Sequence, residues 1–235
     1  LESIEAGALY VVATPIGNLG DITYRAVHIM KNVDLIAAED TRKTRILMQH
    51  YGIQNKTISY HSYNLKTQTQ RLINLLLTGK SVALVTDAGT PGISDPGCRL
   101  VQACVQSDIR VIPIPGSAAF VAALTASGLP VNRFAFEGFL PAKKGRQTRL
   151  QKLAEEERTV VLYESPHRLA KTVNELLTVW GDRSCVMARE ITKIYEEFFR
   201  GTLSELQEHL AGKPVKGEIV LLVAGFNKKR EKKYE

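Results

Sequence analysis

A chain of 235 residues that is 44% hydrophobic can form one large domain or two small ones and can bury a sizeable core. No apolar run approaches the roughly 18–20 residues that a bilayer span needs. The start, Leu1-Glu2-Ser3-Ile4-Glu5-Ala6-Gly7, has no basic region followed by an apolar stretch, so a cytoplasmic protein with no membrane partner is expected. Cys98, Cys104 and Cys185 form no C-x-x-C pair, which points away from a disulfide framework and from any metal site. They are expected to be small buried residues. The formal net charge of +7 is concentrated in two places. Lys143, Lys144, Arg146, Arg149 and Lys152 crowd one stretch, and Lys228, Lys229, Arg230, Lys232 and Lys233 crowd the tail. Such clusters are the footprint of a nucleic-acid binder, although a solvated surface that keeps a protein soluble carries the same charge.

Short apolar runs predict strands near 8–13, 34–39, 57–60, 81–87 and 110–115. Helices are predicted between them near 22–32, 41–50, 66–79 and 96–106, with a fifth at 116–127. Leu72, Ile73, Leu76 and Leu77 form the apolar stripe of the third helix, and Gly79 is a fitting stop. Asp40 or Thr41 can cap the helix that opens at Arg42. This alternation makes a parallel sheet with right-handed crossovers. Four loops rich in Gly, Pro and short polar residues then share the carboxyl edge, where open α/β sheets bind ligands. They are Thr14–Asp21, Glu39–Arg42, Asp87–Gly97 and Pro115–Ser117.

After Gly128-Leu129-Pro130 the pattern changes, which divides the chain into an N-terminal α/β domain, 1–130, and a C-terminal mixed α/β domain, 131–235. The second has strands at 134–139, 159–164, 184–190, 193–200 and 218–224, with helices near 146–157 and 202–211 and another opening at Pro166. Ile191-Thr192 alone joins 184–190 to 193–200, which suits an antiparallel hairpin. The charged tail is expected to fray.

A dinucleotide site needs G-x-G-x-x-G, and here only Gly17 and Gly20 are present, with Asp21 where a pyrophosphate would be repelled. Glu39 does lie where a ribose-binding acid would, which keeps that reading open. A ligand without phosphates fits better: Asp87–Gly92 offers backbone groups on a proline-stiffened turn, able to recognise the amino-acid end and ribose of S-adenosylmethionine.

The runs Leu9–Thr23, Ala37–Thr44, Val82–Gly97, Pro113–Leu124, Phe136–Arg146, Tyr163–Leu169, Ala188–Lys193, Tyr195–Thr202 and Lys216–Gly225 together resemble the tetrapyrrole-methylase-like superfamily of S-adenosylmethionine methyltransferases. Within it they resemble the RsmI family of ribosomal RNA cytidine 2′-O-methyltransferases. The resemblance runs from about residue 8 to 225. It implies two α/β domains with the cofactor in the cleft between them, a homodimer, and methylation of a cytidine ribose in 16S rRNA of the small ribosomal subunit. Corrin and porphyrin methylases of this fold usually carry Gly-Asp-Pro where Gly89-Thr90-Pro91 stands, and they lack the segments Ser165–Arg168 and Pro141–Arg146. Carried over by position, the cofactor contacts are Pro15, Asp87, Gly89, Thr90, Ile93, Ala118, Ala119, Tyr163, Glu164, Gly217 and Glu218.

A ribose hydroxyl is weakly acidic, so a base or a cation that lowers its pKa would help. Glu39, Asp40 and Arg42 are the catalytic candidates, with Glu164 and Arg189-Glu190 behind them; for Glu39-Asp40 the other explanation is helix capping plus an ion pair with Arg42. Lys143, Lys144, Arg146 and Arg168 are the RNA-binding candidates. His61 and His167 could exchange protons, and Tyr60, Tyr63 and Phe139 could stack on bases or simply pack. Two alternatives stay open: a small-molecule, tetrapyrrole-like methyltransferase of the same fold, and a non-catalytic RNA-binding factor.

Overall fold

Five strands of three or four residues each make the first sheet: β1 (Leu9–Val12), β2 (Leu35–Ala38), β3 (Thr57–Ser59), β4 (Val82–Val85) and β5 (Val111–Ile114). The computed structural model describes residues 3–212 and 214–227, so the cationic tail from Lys228 lies outside the described residues. Every strand pair is parallel, in the order β3-β2-β4-β1-β5. Period-2 alternation then divides the side chains between two faces. Tyr10, Val12, Ile36, Ala38, Ala83 and Val85 pack with α1 (Tyr24–Asn32) and α2 (Thr41–His50). Leu9, Ala37, Val82 and Leu84 pack with α3 (Leu65–Leu77) and α4 (Gly97–Gln106). A strand buried on both faces reads as a continuous apolar run, which is why β4 is legible as Val-Ala-Leu-Val. Asp40 caps α2, accepting from the Arg42 amide. Leu77 departs from the expected stripe: it is 64% exposed, while Leu72, Ile73 and Leu76 are buried. Cys98 also departs from expectation, since it lies on the exposed side of α4, whereas Cys104 and Cys185 are buried.

The compact units divide between Ala118 and Ala119. The helix α5 (Ala119–Thr125), assigned from sequence to the first domain, belongs to the second unit and lies against its last strand. That unit holds β6 (Phe134–Phe139), α6 (Arg146–Ala154), β7 (Thr159–Glu164), α7 (Pro166–Trp180), β8 (Ser184–Arg189), β9 (Glu197–Thr202), α8 (Leu203–Leu210) and β10 (Ile219–Val223). Its sheet order is β6-β7-β10-β8-β9, with β6 parallel to β7 and the other pairs antiparallel. Leu150, Leu169, Leu176 and Leu206 from α6, α7 and α8 cover one face, against Val160, Leu162, Met187 and Leu221. The β8–β9 pairing is antiparallel as expected, but the connection spans 190–196 rather than Ile191-Thr192 alone. Ile194 and Tyr195 look strand-like in sequence yet are 94% and 72% exposed, so they line no face of the sheet.

Candidate functional site

Hydrogen bonds fasten the four carboxyl-edge loops of the first unit to one another. Thr14 and Gly89 exchange backbone bonds of 2.8 and 3.0 Å, joining the loop after β1 to the loop after β4. The buried Thr14 hydroxyl donates to the Thr86 carbonyl at 3.1 Å. Thr90 Oγ1 donates to the Ser117 carbonyl at 3.0 Å, and Ser117 Oγ donates to the Asp21 carbonyl at 3.2 Å. The loop after β2 is tied in twice: Thr86 Oγ1 donates to Glu39 Oε2 at 2.6 Å, and the Asp40 amide donates to Asp87 Oδ1 at 2.9 Å. Asp87 Oδ2 also pairs with Lys43 at 2.7 Å. All five strands are parallel, so these loops share one edge, and the bonds turn that shared edge into one connected surface.

Local chemistry explains how the loop after β4 keeps its shape. Gly89 has φ of +86°, a conformation that a side chain rarely tolerates, and an added Cβ would stand 3.4 Å from Ile16 Cγ2. Asp95 closes the turn by accepting from the Gly92 amide at 2.9 Å and the Gly97 amide at 2.6 Å. Burial raises the Asp95 pKa above the ordinary carboxylate value, and the nearby Glu39 charge pushes the same way. Asp95, Thr14, Thr86 and Ser117 were not singled out from sequence, because short polar residues inside glycine-rich loops look alike until their partners are known. Pro15, Thr90 and Ala118 are half-buried here, and Ile93 is 37% exposed. The segment Thr86–Gly97 contains two acids and no Lys or Arg. That donor set is unsuited to phosphate and compatible with a cationic ligand bound through peptide groups.

The three catalytic candidates separate. Asp40 forks onto Arg42 at 3.0 and 2.7 Å, and these bonds hold its carboxyl well below the usual carboxylate range. It therefore serves as a cap and ion-pair partner, and the Arg42 side chain remains 88% exposed. Glu39 enters the loop network through its side chain, accepting from Thr86, whereas Asp40 joins it only through its backbone amide.

In the second unit two of the candidates have side chains turned inward. Glu164, carried over as a cofactor contact, has a side chain only 1% exposed. The register pairs it with Ile219 on the same face as Leu162 and Val160, toward the helices. Its oxygens accept from the Ser165 amide at 2.7 Å, Arg168 Nε at 2.8 Å and Thr172 Oγ1 at 2.6 Å. Arg146, expected to meet RNA, is 7% exposed. It donates to Glu175 at 2.8 Å, Thr172 at 2.7 Å and the Pro141 carbonyl at 3.1 Å. A sequence shows the charge of a basic cluster but not which member turns inward. Lys143 and Lys144 are exposed, and Arg168 is partly buried against Glu164.

Tyr163, one residue before Glu164, faces the other way, toward Phe136 and Phe139 at ring separations of 5.2 and 5.6 Å. Burial raises its hydroxyl pKa. Ala119 is half-buried at the start of α5. Gly217 has φ of +94°, and an added Cβ would collide with Glu190. Lys193 bridges Glu190 and Glu218 at 2.7 and 3.0 Å, so Glu218 already has a partner. Of the stacking candidates, Tyr60 is 1% exposed and is core, whereas Tyr63 and Phe139 are 97% and 54% exposed. His61 is half-buried and His167 exposed. Among the described residues no helix is long and apolar enough to cross a membrane.

Comparison with known proteins bears on the whole chain. The family described as Tetrapyrrole (Corrin/Porphyrin) Methylases matches residues 8–207. A Synechocystis protein named ribosomal RNA small subunit methyltransferase I is 55% identical over 221 residues, covering 93% of this chain and 79% of the relative. A Halalkalibacterium halodurans protein of the same name is 49% identical over 228 residues, covering 97% and 79%. Among solved structures, a cobalt precorrin-4 methyltransferase aligns with a TM-score of 0.70 at 17% identity, over 93% of this chain and 95% of that one. Uroporphyrin-III-C-methyltransferase from Thermus thermophilus aligns at 0.66 and 20% identity, over 93% and 94%; both likenesses concern the fold alone. At this identity and coverage, the chain belongs to the tetrapyrrole (corrin/porphyrin) methylase family and, within it, to the ribosomal RNA small subunit methyltransferase I family.

Proposed function

We propose that this protein transfers a methyl group from S-adenosylmethionine to the ribose 2′-hydroxyl of a cytidine in 16S rRNA of the small ribosomal subunit. The observation that carries the reading is the hydrogen-bonded set of loops at the carboxyl edge of the first sheet, in a chain whose relatives bear a ribosomal RNA methyltransferase name. The donor supplies a methyl group activated on a sulfonium. The new bond is carbon to ribose oxygen, the broken bond is carbon to sulfur, and the hydroxyl proton must go to a base.

The chain's residues divide the work. Gly89, Thr90 and Ile93, with Pro15 and Ala118, offer peptide groups and a little apolar surface, while Asp87 and Glu39 supply negative charge. Glu39 is the proposed proton acceptor, since Asp40 is committed to Arg42. Much of the rate would come from holding the hydroxyl in line with the methyl carbon. Lys143 and Lys144 are the proposed phosphate contacts; Arg146 is not. Assembly as a homodimer and a cytoplasmic location are part of the same proposal and rest on the resemblance.

The test is methyl transfer from labelled S-adenosylmethionine to small subunits taken from cells that lack the protein, followed by digestion to nucleosides. The reading expects label in 2′-O-methylcytidine. Label in a base, or label accepted only by a tetrapyrrole, overturns it.

A further inference from the structure

A fifth loop reaches the same edge. Residues 60–64 follow β3, and the Tyr60 amide donates to the Ala38 carbonyl at 2.7 Å, so this loop starts beside the one bearing Glu39, Asp40 and Arg42. It is braced from within. The Asn64 side chain donates to the Ser59 carbonyl at 3.1 Å and accepts from the His61 amide at 3.0 Å, and the Asn64 amide donates to the His61 carbonyl at 3.0 Å. Tyr60 is buried, with its hydroxyl 2.9 Å from Thr69 Oγ1.

On this fixed loop Tyr63 stands 97% exposed, its ring meeting the edge of His61 at 6.0 Å and 67°. A ring carried on a braced backbone yet left in water adds almost nothing to the core, because burial is what makes an aromatic side chain stabilising. The cation nearest in the chain is Lys66, exposed in the first turn of α3, while Arg42, 88% exposed at the start of α2, has its guanidinium forked onto Asp40. An open aromatic face with a lysine three residues along the chain is the chemistry that binds unpaired nucleotides, one part stacking on the base and the other meeting phosphate. A base inside a duplex presents no free face to such a ring.

We propose that Tyr63 is a stacking platform for an unpaired nucleotide next to the methylated one, with Lys66 meeting the adjoining phosphate. This inference rests on the RNA reading above and adds a binding site to the first unit. The platform requires a substrate segment that is single-stranded, or opened, beside its target.

The experiment compares native protein, Tyr63→Ala and Tyr63→Phe on small subunits from cells lacking the protein and on a labelled oligocytidylate, with an abasic strand as control. At 97% exposure the alanine variant should unfold at the native denaturant midpoint. It should bind both RNAs at least about fivefold more weakly, the lower end of what one base stack contributes, with KM raised more than kcat is lowered. Tyr63→Phe keeps the ring and should bind as the native protein does. The abasic strand should bind native protein and Tyr63→Ala equally. Removing Lys143 and Lys144 charges should flatten the salt dependence, whereas Tyr63→Ala should leave that slope unchanged. Native affinity in Tyr63→Ala, or a Phe variant as weak as the Ala variant, overturns the platform while methyl transfer by native protein keeps the RNA reading alive. If native protein neither binds nor methylates RNA, the functional reading fails and the platform fails with it.

Discussion

Glu164 and Arg146 sit almost entirely out of water, and each survives there because the other polar groups around it use its hydrogen-bonding capacity. Thr172 takes part in both halves, donating to Glu164 at 2.6 Å and accepting from Arg146 at 2.7 Å. Removing one charge from such a cluster leaves an uncompensated partner. Glu164→Ala is therefore expected to cost about 3–5 kcal/mol of stability, read as a lowered denaturant midpoint. Replacing exposed Lys143 and Lys144 by Ala should stay within about 0.5 kcal/mol. A Glu164→Ala protein as stable as native would mean that the carboxylate is held for a ligand rather than for the fold. The sequence named both residues but not their burial. Tyr163 and Glu164 are neighbours with opposite destinations, and only the register against β10 tells which faces the helices.

At the scale of elements, the loops after β1, β2, β4 and β5 were legible because glycine and proline, or after β2 the polar run Glu39–Arg42, punctuate apolar runs too short to be helices. What joins those loops was not legible, since bonds such as Thr90 to Ser117 connect residues far apart in the chain. That bond gives a clean test of the cofactor reading. Thr90→Val keeps the shape and loses the donor, and it should weaken S-adenosylmethionine binding about tenfold, equivalent to about 1.4 kcal/mol. Thr90→Ser keeps the donor and should bind as native protein does. Calorimetric affinity unchanged in Thr90→Val would remove the loop from the cofactor site. A Gly89 substitution is less informative, because φ of +86° strains any side chain there whether or not a ligand is near. The β8–β9 pairing was legible, but the length of its connection was misjudged for a related reason. Apolar residues were taken as strand, while Glu190 and Thr192 at φ of 51° and 70° turn the chain before β9 begins.

For the whole molecule, the alternation of short strands and helices carried the parallel sheet, and its breakdown after Pro130 carried the mixed one. The division itself was less legible: α5 continues the rhythm of the first unit in sequence but packs on β10. The solved structures share this architecture at 17% and 20% identity, so the pattern of burial, more than any particular residue, specifies the fold. Chemistry is a separate matter, since one fold hosts many substrates. The central claim is that a ribose oxygen in small-subunit RNA accepts the methyl group, and one atom decides it. Small subunits reconstituted with 2′-deoxycytidine at the methylated position should accept no methyl group from S-adenosylmethionine, while subunits carrying cytidine there are methylated. Methyl incorporation into the deoxy-substituted subunits would contradict the account, because the acceptor would then be a base and not a sugar.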